Sequence, residues 1–336
     1  MMVAGDASAA ALVARVLEGE PRAVARAITV IEDDLPGAAA IVRGIFGRTG
    51  RAEIVGLTGP PGAGKSTLAD RMTAACRRDG KTVGVVAVDP TSPFSGGAVL
   101  GDRVRMQSHA GDPGVFIRSM ATRGHLGGLA RATAEAVMVL DAAGKDVVIV
   151  ETVGVGQDEV DIVRTADVSI VVLVPGAGDE VQALKAGIME IADVFVVNKA
   201  DREGASRTVA HVESLLNLQD WSSGRWRPPV IETQARRGDG VDELLDALDR
   251  FRKHGAQSAP ARRRARSAWR LREMLADRFL DHVSREVVSP TEMDEIIERV
   301  ALREIDPYAA VSDILSRALG GSRRQLFSKR RRVRTS

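Results

Sequence analysis

The chain has 336 residues, of which 44% are hydrophobic, 27% charged and only 3% aromatic, so its core must consist mainly of Val, Ile, Leu and Ala. Lys and Arg number 47 against 45 Asp and Glu, so no strong overall field favours a nucleic acid or a membrane as the partner. The single cysteine, Cys76, excludes an internal disulfide framework and a zinc site built on several thiolates, and it is typical of a reducing compartment.

Neither a membrane-spanning helix nor a secretory signal is predicted. The longest apolar stretch, residues 168–175, is far shorter than the roughly 20 residues that a helix needs to cross a bilayer. The N-terminal region carries Asp6 and Glu18 and lacks a basic segment followed by a long apolar run. We therefore expect a cytoplasmic protein with no membrane partner.

The first 47 residues are expected to form an N-terminal helical arm. Residues 8–46 are rich in Ala, Val and Arg, and Pro21 and Pro36 divide them into about three short helices.

Residues 48–256 alternate short apolar runs with longer helical patterns, which predicts an α/β domain with a doubly wound, mostly parallel sheet. Most runs are continuous in Val and Ile, as in strands that are buried on both faces. The predicted strands are 52–57, 82–88, 115–119, 146–151, 168–174, 194–198 and 230–233, and the predicted helices are 66–78, 126–142, 158–165, 180–190, 205–218 and 241–253.

Residues 261–320 are expected to form a helical C-terminal extension. Apolar residues recur there at helical spacing, and Ser289-Pro290 and Asp306-Pro307 are typical of the points where one helix ends and the next begins. The remaining residues, 321–336, form a basic tail that is expected to be disordered.

A phosphate-binding loop is predicted between the first strand and the following helix. The segment satisfies G-x-x-x-x-G-K-[ST], whose glycines let backbone N–H groups surround a phosphate while the helix N-terminus adds its positive end. The lysine would contact the β- and γ-phosphate oxygens, and the serine hydroxyl would bind Mg²⁺. The residues concerned are Gly59, Pro60, Pro61, Gly62, Ala63, Gly64, Lys65 and Ser66.

A guanine-binding motif, Asn198-Lys199-Ala200-Asp201, follows a later strand. A carboxylate at position 201 can accept hydrogen bonds from both N1–H and the 2-amino group of guanine, which adenine does not offer in that arrangement. The segment Thr233-Gln234-Ala235 follows the last strand, where a GTPase commonly has Ser-Ala, and the backbone N–H of Ala235 could still reach the guanine oxygen. The predicted nucleotide is GTP.

Acidic residues that could handle Mg²⁺ and water follow two other strands. Asp89 and Glu151 each end a strand, and Asp102 lies in the loop after Asp89. Most small GTPases carry Asp where this chain has Glu151, so this carboxylate is expected to act partly through water, since Mg²⁺ retains several waters. Gly154 could bring a backbone N–H to the γ-phosphate, and Gln157 could orient the attacking water.

Several long segments resemble the P-loop GTPase chaperones associated with methylmalonyl-CoA mutase, a family that includes proteins formerly labelled arginine/ornithine transport ATPases. The segments lie in order across roughly residues 20–320, and the long central ones are specific to this family. They are Gly59–Thr67, Val88–Arg103, Arg118–Gly128, Glu151–Gln157, Pro175–Glu180, Asn198–Asp201 and Asp306–Tyr308.

The resemblance implies a GTPase core with an N-terminal helical arm and a C-terminal extension that forms a homodimer. It places Thr67 among the nucleotide-binding residues and implies that Asp89, Asp102 and Glu151 serve the Mg²⁺ and γ-phosphate site. It also implies that the loops around Asp89–Arg105, Val153–Val160 and Gly176–Lys185 change with the nucleotide. It also implies a partner, an adenosylcobalamin-dependent acyl-CoA mutase whose cofactor loading, assembly or protection is gated by GTP. Gln234 and the basic tail are not part of the family pattern.

Three other functions fit the sequence less well. A GTPase that delivers nickel usually has a Cys–His cluster, whereas Cys76 and the five histidines are isolated in this sequence. A small-molecule kinase needs an acceptor pocket, for which no segment is left over. A nucleic-acid function for the basic tail is disfavoured, because Phe327 is its only aromatic residue.

Overall fold

The computed structural model describes residues 2–89, 107–109, 111–121, 128–152, 166–176, 191–221, 224–257 and 259–320. The seven strands are β1 (Glu53–Thr58), β2 (Val83–Asp89), β3 (Val115–Ala121), β4 (Val147–Thr152), β5 (Val168–Leu173), β6 (Val194–Asn198) and β7 (Val230–Thr233). The α-helices are α1 (Met2–Leu17), α2 (Pro21–Glu32), α3 (Ala38–Ile45), α4 (Lys65–Arg78), α5 (Gly128–Ala142), α6 (Ala205–Leu216), α7 (Val241–His254), α8 (Ala259–His282), α9 (Pro290–Ala301) and α10 (Pro307–Leu319). Single 3₁₀ turns span Phe46–Arg48 and Gln107–His109, and a π-helical turn spans Val283–Val287.

The described strands and helices between residues 48 and 256 lie where the sequence pattern predicts them, with ends that coincide or differ by one or two residues. The predicted helices 158–165 and 180–190 and the tail 321–336 lie outside the described residues. Among the described residues, none of the helices is both long and apolar enough to cross a bilayer.

The seven strands form one parallel sheet in the order β3-β2-β4-β1-β5-β6-β7. The chain therefore adds β2, β3 and β4 on one side of β1 and β5, β6 and β7 on the other. Such a reversal of direction leaves a crevice at the carboxyl ends of the central strands, which is where open α/β sheets bind their ligands. The doubly wound, parallel α/β fold predicted from the sequence is confirmed.

One face of the sheet is covered by α4 and α7. Alternate residues of the strands, such as Leu57, Ile149 and Ile170, pack there against Leu68 of α4 and Leu244 of α7. All of them are fully buried, so this face is a continuous apolar layer that holds α4 in a fixed place behind the end of β1.

The opposite face is covered by the N-terminal helices together with α5 and α6. Ile28 and Ile31 of α2 and Ile41 of α3 belong to the same apolar cluster as Val86 of β2 and Val148 of β4. Farther along this face, α6 packs Val212 and Leu216 against β5 and β6. The first 45 residues therefore contribute directly to the core of the sheet.

The beginnings of the strands are fixed by two carboxylates. Asp141 at the end of α5 is buried and accepts hydrogen bonds from the backbone N–H groups of Gly50, Arg51 and Ala52, at 2.5, 3.1 and 2.9 Å. Asp146, just before β4, accepts from the backbone N–H and the hydroxyl of Thr82, just before β2, at 2.7 and 2.8 Å. These bonds satisfy backbone donors at the edge of the sheet opposite to the carboxyl ends.

The chain divides into two compact units, the first comprising residues 1–262 and the second beginning at Arg263. In the second unit, the side chains of Ser289 and Asp306 accept hydrogen bonds from the backbone N–H groups of Glu292 and Ala309, and they cap α9 and α10. Both caps precede a proline, as the sequence predicts. An ion pair between Arg317 and Glu292, at 2.6 Å, joins the two helices.

Candidate functional site

The carboxyl ends of the central strands bring several of the predicted site residues to one edge of the sheet. Glu151 of β4 lies in register with Leu57 of β1 on one side and with Ala87 of β2 on the other. Asp89 closes β2 two residues beyond Ala87, and the phosphate loop begins two residues beyond Leu57. The parallel pairing therefore gathers at one edge the strand ends that the sequence had singled out separately.

The loop of residues 59–64 joins β1 to α4 and depends on two glycines. Gly59 and Gly64 have φ values of 146° and 90°, in the region that favours glycine. A Cβ at Gly59 would overlap the backbone carbonyl of Val172, and a Cβ at Gly64 would overlap the side-chain amide of Asn198. The loop is therefore pressed against β5 and β6, and its end leads directly into α4 at Lys65.

Lys65 is directed into this loop. Its Nζ donates hydrogen bonds to the carbonyl oxygens of Gly59 and Pro60, at 2.7 and 2.9 Å, and the side chain is 5% exposed. A buried ammonium group requires such acceptors, and a phosphate oxygen is a stronger acceptor than a neutral carbonyl. The lysine charge is thus held at the mouth of a loop with the shape of an anion-binding site.

Ser66 and Glu151 form the next contact of the site. The hydroxyl Oγ of Ser66 donates to Oε1 of Glu151 at 2.5 Å, and the two side chains are 7% and 3% exposed. A hydroxyl and a carboxylate are the hard oxygen donors that Mg²⁺ prefers. The chemistry of this pair therefore fits a magnesium site, although no group of three or more metal-binding side chains occurs in the described part of the chain.

Asn198 joins the guanine motif to the phosphate loop. Its amide Nδ2 donates to the carbonyl of Ala63 at 2.8 Å, and its Oδ1 accepts from the hydroxyl of Thr233 and from the backbone N–H of Ala235, both at 3.1 Å. One buried side chain therefore connects the ends of β6 and β7 with the loop after β1. Because the Ala235 N–H already donates to Asn198, a guanine oxygen would share or replace that contact.

Lys199 and Asp201 complete this motif on its outer side. Lys199 has a positive φ of 59°, and its Nζ donates to the carbonyl of Gly62 at 2.7 Å. Partial desolvation, with the nearby charges of Arg202 and Arg236, lowers the pKa of the Lys199 ammonium group. The side chain of Asp201 is exposed and accessible to a ligand.

The segment around Gln234 forms a compact turn. Its backbone N–H donates to the carbonyl of Asp239 at 3.0 Å, and its carbonyl accepts from the N–H groups of Arg237 and Gly238. These are backbone bonds, so the turn forms with Gln as it would with Ser.

Two contacts of α4 were not indicated by any sequence motif. Arg71 binds the backbone carbonyls of Ala235 and Arg236. Asp70 accepts from the hydroxyl of Ser108 at 2.7 Å, and its Oδ1 lies 3.2 Å from Nε2 of His109. Sequence reasoning missed both, because each joins residues that are far apart in the chain and leaves no local periodicity. Three site residues predicted from the sequence, Asp102, Gly154 and Gln157, lie outside the described residues.

Comparison with known proteins identifies the family. The model of the family described as methylmalonyl Co-A mutase-associated GTPase MeaB matches residues 24–287. A protein of Pyrococcus abyssi whose name classes it as a GTPase is 52% identical, over 92% of this chain and 97% of that protein. The mouse protein named methylmalonic aciduria type A homolog, mitochondrial, is 36% identical over 79% of this chain and 65% of its own length.

A solved structure described as LAO/AO transport system kinase is also similar. It has a TM-score of 0.72 and 27% identity, and the match covers 92% of this chain and 97% of that one. Its fold agrees with the P-loop arrangement described above, and the GTPase relatives agree with the guanine motif at Asn198. The chain thus belongs to the MeaB family of guanine-nucleotide-binding P-loop GTPases.

Proposed function

We propose that this GTPase uses Mg²⁺ and that its nucleotide state controls an adenosylcobalamin-dependent acyl-CoA mutase of the methylmalonyl-CoA mutase type. The control would act on loading of the mutase cofactor, on assembly or on protection of the mutase. The observation that carries the nucleotide part is the set of bonds made by Asn198, which joins the phosphate loop to the base-binding turn.

In the proposed reaction, water attacks the γ-phosphate of GTP and GDP leaves. Lys65 would neutralise charge on the β- and γ-phosphate oxygens, while Ser66 and Glu151, with Asp89 and Asp102, would hold Mg²⁺ directly or through water. The metal ion, when bound, would reduce the negative charge that the attacking water meets. Gly154 would donate a backbone N–H to the γ-phosphate, and Gln157 would orient the water.

The base would be read at the other end of the crevice. Asp201 would accept hydrogen bonds from guanine, with Asn198, Lys199, Gln234 and Ala235 forming the rest of the pocket. The nucleotide phosphates would lie in the loop from Gly59 to Thr67, and the contact between Lys199 and the carbonyl of Gly62 supports the closeness of the two regions.

The mutase part of the proposal is supported by names. The family description contains an association with methylmalonyl-CoA mutase, and the mouse relative is named for methylmalonic aciduria. The kinase description of the solved relative supports a second candidate, transfer of the γ-phosphate to a small molecule. The two reactions differ in the acceptor, which is water in one and an organic group in the other.

A homodimer is also proposed, formed through the C-terminal extension. Helix α8 has no buried residue within the chain, and Leu271 and Leu275 on it are 69% and 67% exposed. Tyr308 and Val311 on α10 are exposed as well. Apolar side chains that recur along one extension are typical of a protein–protein contact.

The test combines binding and turnover. Purified adenosylcobalamin-dependent mutases are tested for capture by the protein loaded with GDP or with a non-hydrolysable GTP analogue, and GTP hydrolysis is then measured with and without the captured mutase. We expect capture that depends on the nucleotide and a GTPase rate changed by the mutase, because coupling between two ligands is reciprocal.

The control is Lys65→Ala, which should lose both nucleotide-dependent capture and turnover. Absence of capture in every nucleotide state, with an unchanged GTPase rate, would contradict the mutase proposal. Radiolabelled γ-phosphate recovered on a small molecule rather than as inorganic phosphate would favour the kinase.

A further inference from the structure

The side chain of Arg71 extends from α4, the helix that follows the phosphate loop, to the turn of residues 234–239, which is the proposed base-binding turn. It lies six residues after Lys65 on α4, and its guanidinium Nε and Nη2 donate to the carbonyl oxygens of Ala235 and Arg236, at 3.2 and 2.8 Å. Ala235 and Arg236 follow Arg71 in the chain by 164 and 165 positions. The contact is therefore a tertiary link between two parts of the nucleotide site.

The link completes the fixation of Ala235. The N–H of this residue donates to Asn198, and its carbonyl accepts from Arg71, so both backbone groups of Ala235 are held by side chains. Asn198 is in turn bound to the carbonyl of Ala63 in the phosphate loop. The turn is thus fixed from two directions, and both connections lead back to the loop and helix that bind phosphate.

An arginine suits this position for a geometric reason. Its planar guanidinium presents several N–H donors in a fixed fork, so one side chain can bind two successive carbonyl groups at a defined angle. A lysine would supply the same charge from a single point and could not fix the orientation of the turn. Arg71 is exposed at the surface, so its replacement should leave the core intact and act mainly on the position of the turn.

We propose that Arg71 is a positioning residue for guanine recognition, which holds the Ala235 turn at the distance from the phosphate helix that a guanine nucleotide requires. It contacts neither base nor phosphate in this role and acts through the backbone of residues 235 and 236. The inference rests on the placement of guanine between Asp201 and Ala235 given above.

The experiment measures dissociation of a fluorescent GDP analogue, and the affinities for GDP and ADP by competition, in Arg71→Gln and Arg71→Lys. We expect GDP to dissociate roughly fivefold faster in both variants, as fits the loss of one modest hydrogen-bonding contribution. ADP affinity should stay unchanged, so the preference for GDP over ADP falls by the same factor. The matched control is Arg78→Gln on the same helix, which removes an exposed ion pair with Asp242 and should behave like the wild type.

Two results would overturn the inference. One is GDP dissociation at the wild-type rate in both Arg71 variants while Asp201→Asn weakens GDP binding. The other is an equal loss of GDP and ADP affinity with a lowered melting temperature of the nucleotide-free protein, which is the signature of a merely structural role. If Asp201→Asn leaves GDP affinity unchanged, the placement of guanine is itself wrong, and that failure is thereby distinguished from a failure at Arg71.

Discussion

Glu151 is the residue whose charge and shape can be separated most cleanly in an experiment. Its carboxylate is buried beside the Ser66 hydroxyl, so Glu151→Gln keeps the size of the side chain and removes the charge that the proposed Mg²⁺ site needs. We expect kcat for GTP hydrolysis to fall on the order of a hundredfold, because a metal ion contributes several kcal/mol to such a reaction. Steady-state hydrolysis across a Mg²⁺ titration measures this.

Glu243→Gln serves as the control, since Glu243 is exposed in the first turn of α7 and is not among the predicted site residues. A Glu151→Gln protein with the kcat and the Mg²⁺ dependence of the wild type would remove Glu151 from the metal site.

Which site residues could be predicted depended on whether their contacts are local. Lys65 and Asn198 belong to short motifs in which spacing along the chain carries the chemistry, and in the structure both bind backbone carbonyls of the loop that begins at Gly59. Arg71 and Asp70 sit beside each other on α4 and bind segments on different loops. Nothing in the sequence around them distinguishes an arginine that donates to a carbonyl far away in the chain from one that is solvated.

At the scale of elements, Asp146 links the beginnings of β2 and β4 and should make stability depend on pH. Hydrogen bonds from the backbone and the hydroxyl of Thr82 lower the pKa of the Asp146 carboxyl group. A group whose pKa is lower in the folded state stabilises the protein above its unfolded-state pKa, near 3.9, and this contribution is lost as the pH falls through the native pKa. We expect Asp146→Asn to lower the melting temperature at pH 7, with a difference from the wild type that shrinks as the pH approaches 3.

Thermal melts between pH 3 and pH 7 test this, with Asp246→Asn on the exposed side of α7 as the control. A difference between the Asp146 variant and the wild type that is the same at every pH would contradict the assignment.

The elements themselves could be predicted well because their signals are local. Runs such as Val147–Val150 mark strands buried on both faces, and Ser289-Pro290 marks a capped helix start. Neither the order of the strands nor the packing of α1 to α3 on the sheet could be predicted. An apolar helix face does not indicate which face of the sheet it packs against. That information resides in pairings between distant parts of the chain.

At the scale of the whole molecule, the proposed homodimer can be tested by placing charge on α8. Leu271→Glu with Leu275→Glu removes apolar side chains that are 69% and 67% exposed, so folding should be little affected while association is opposed by buried charge. We expect sedimentation to show a monomer whose melting temperature is close to that of the wild type. Leu218→Glu, at a residue 81% exposed in the first unit, is the control. A dimer that persists in the double variant would show that this surface of α8 does not form the dimer contact.

The packing of the first three helices against β2 and β4 also has a consequence for folding during synthesis. Their apolar side chains leave the ribosome early, but the valines they cover in β4 follow roughly 100 residues later, which at 5–20 residues per second is a delay of about 5–20 s. During that interval the apolar side chains of these helices are exposed, because the sheet face that covers them is incomplete until β4 lies between β2 and β1. A ribosome stalled before β4 would therefore display a substrate for the cell's chaperones, and a release of that substrate should coincide with emergence of Thr152.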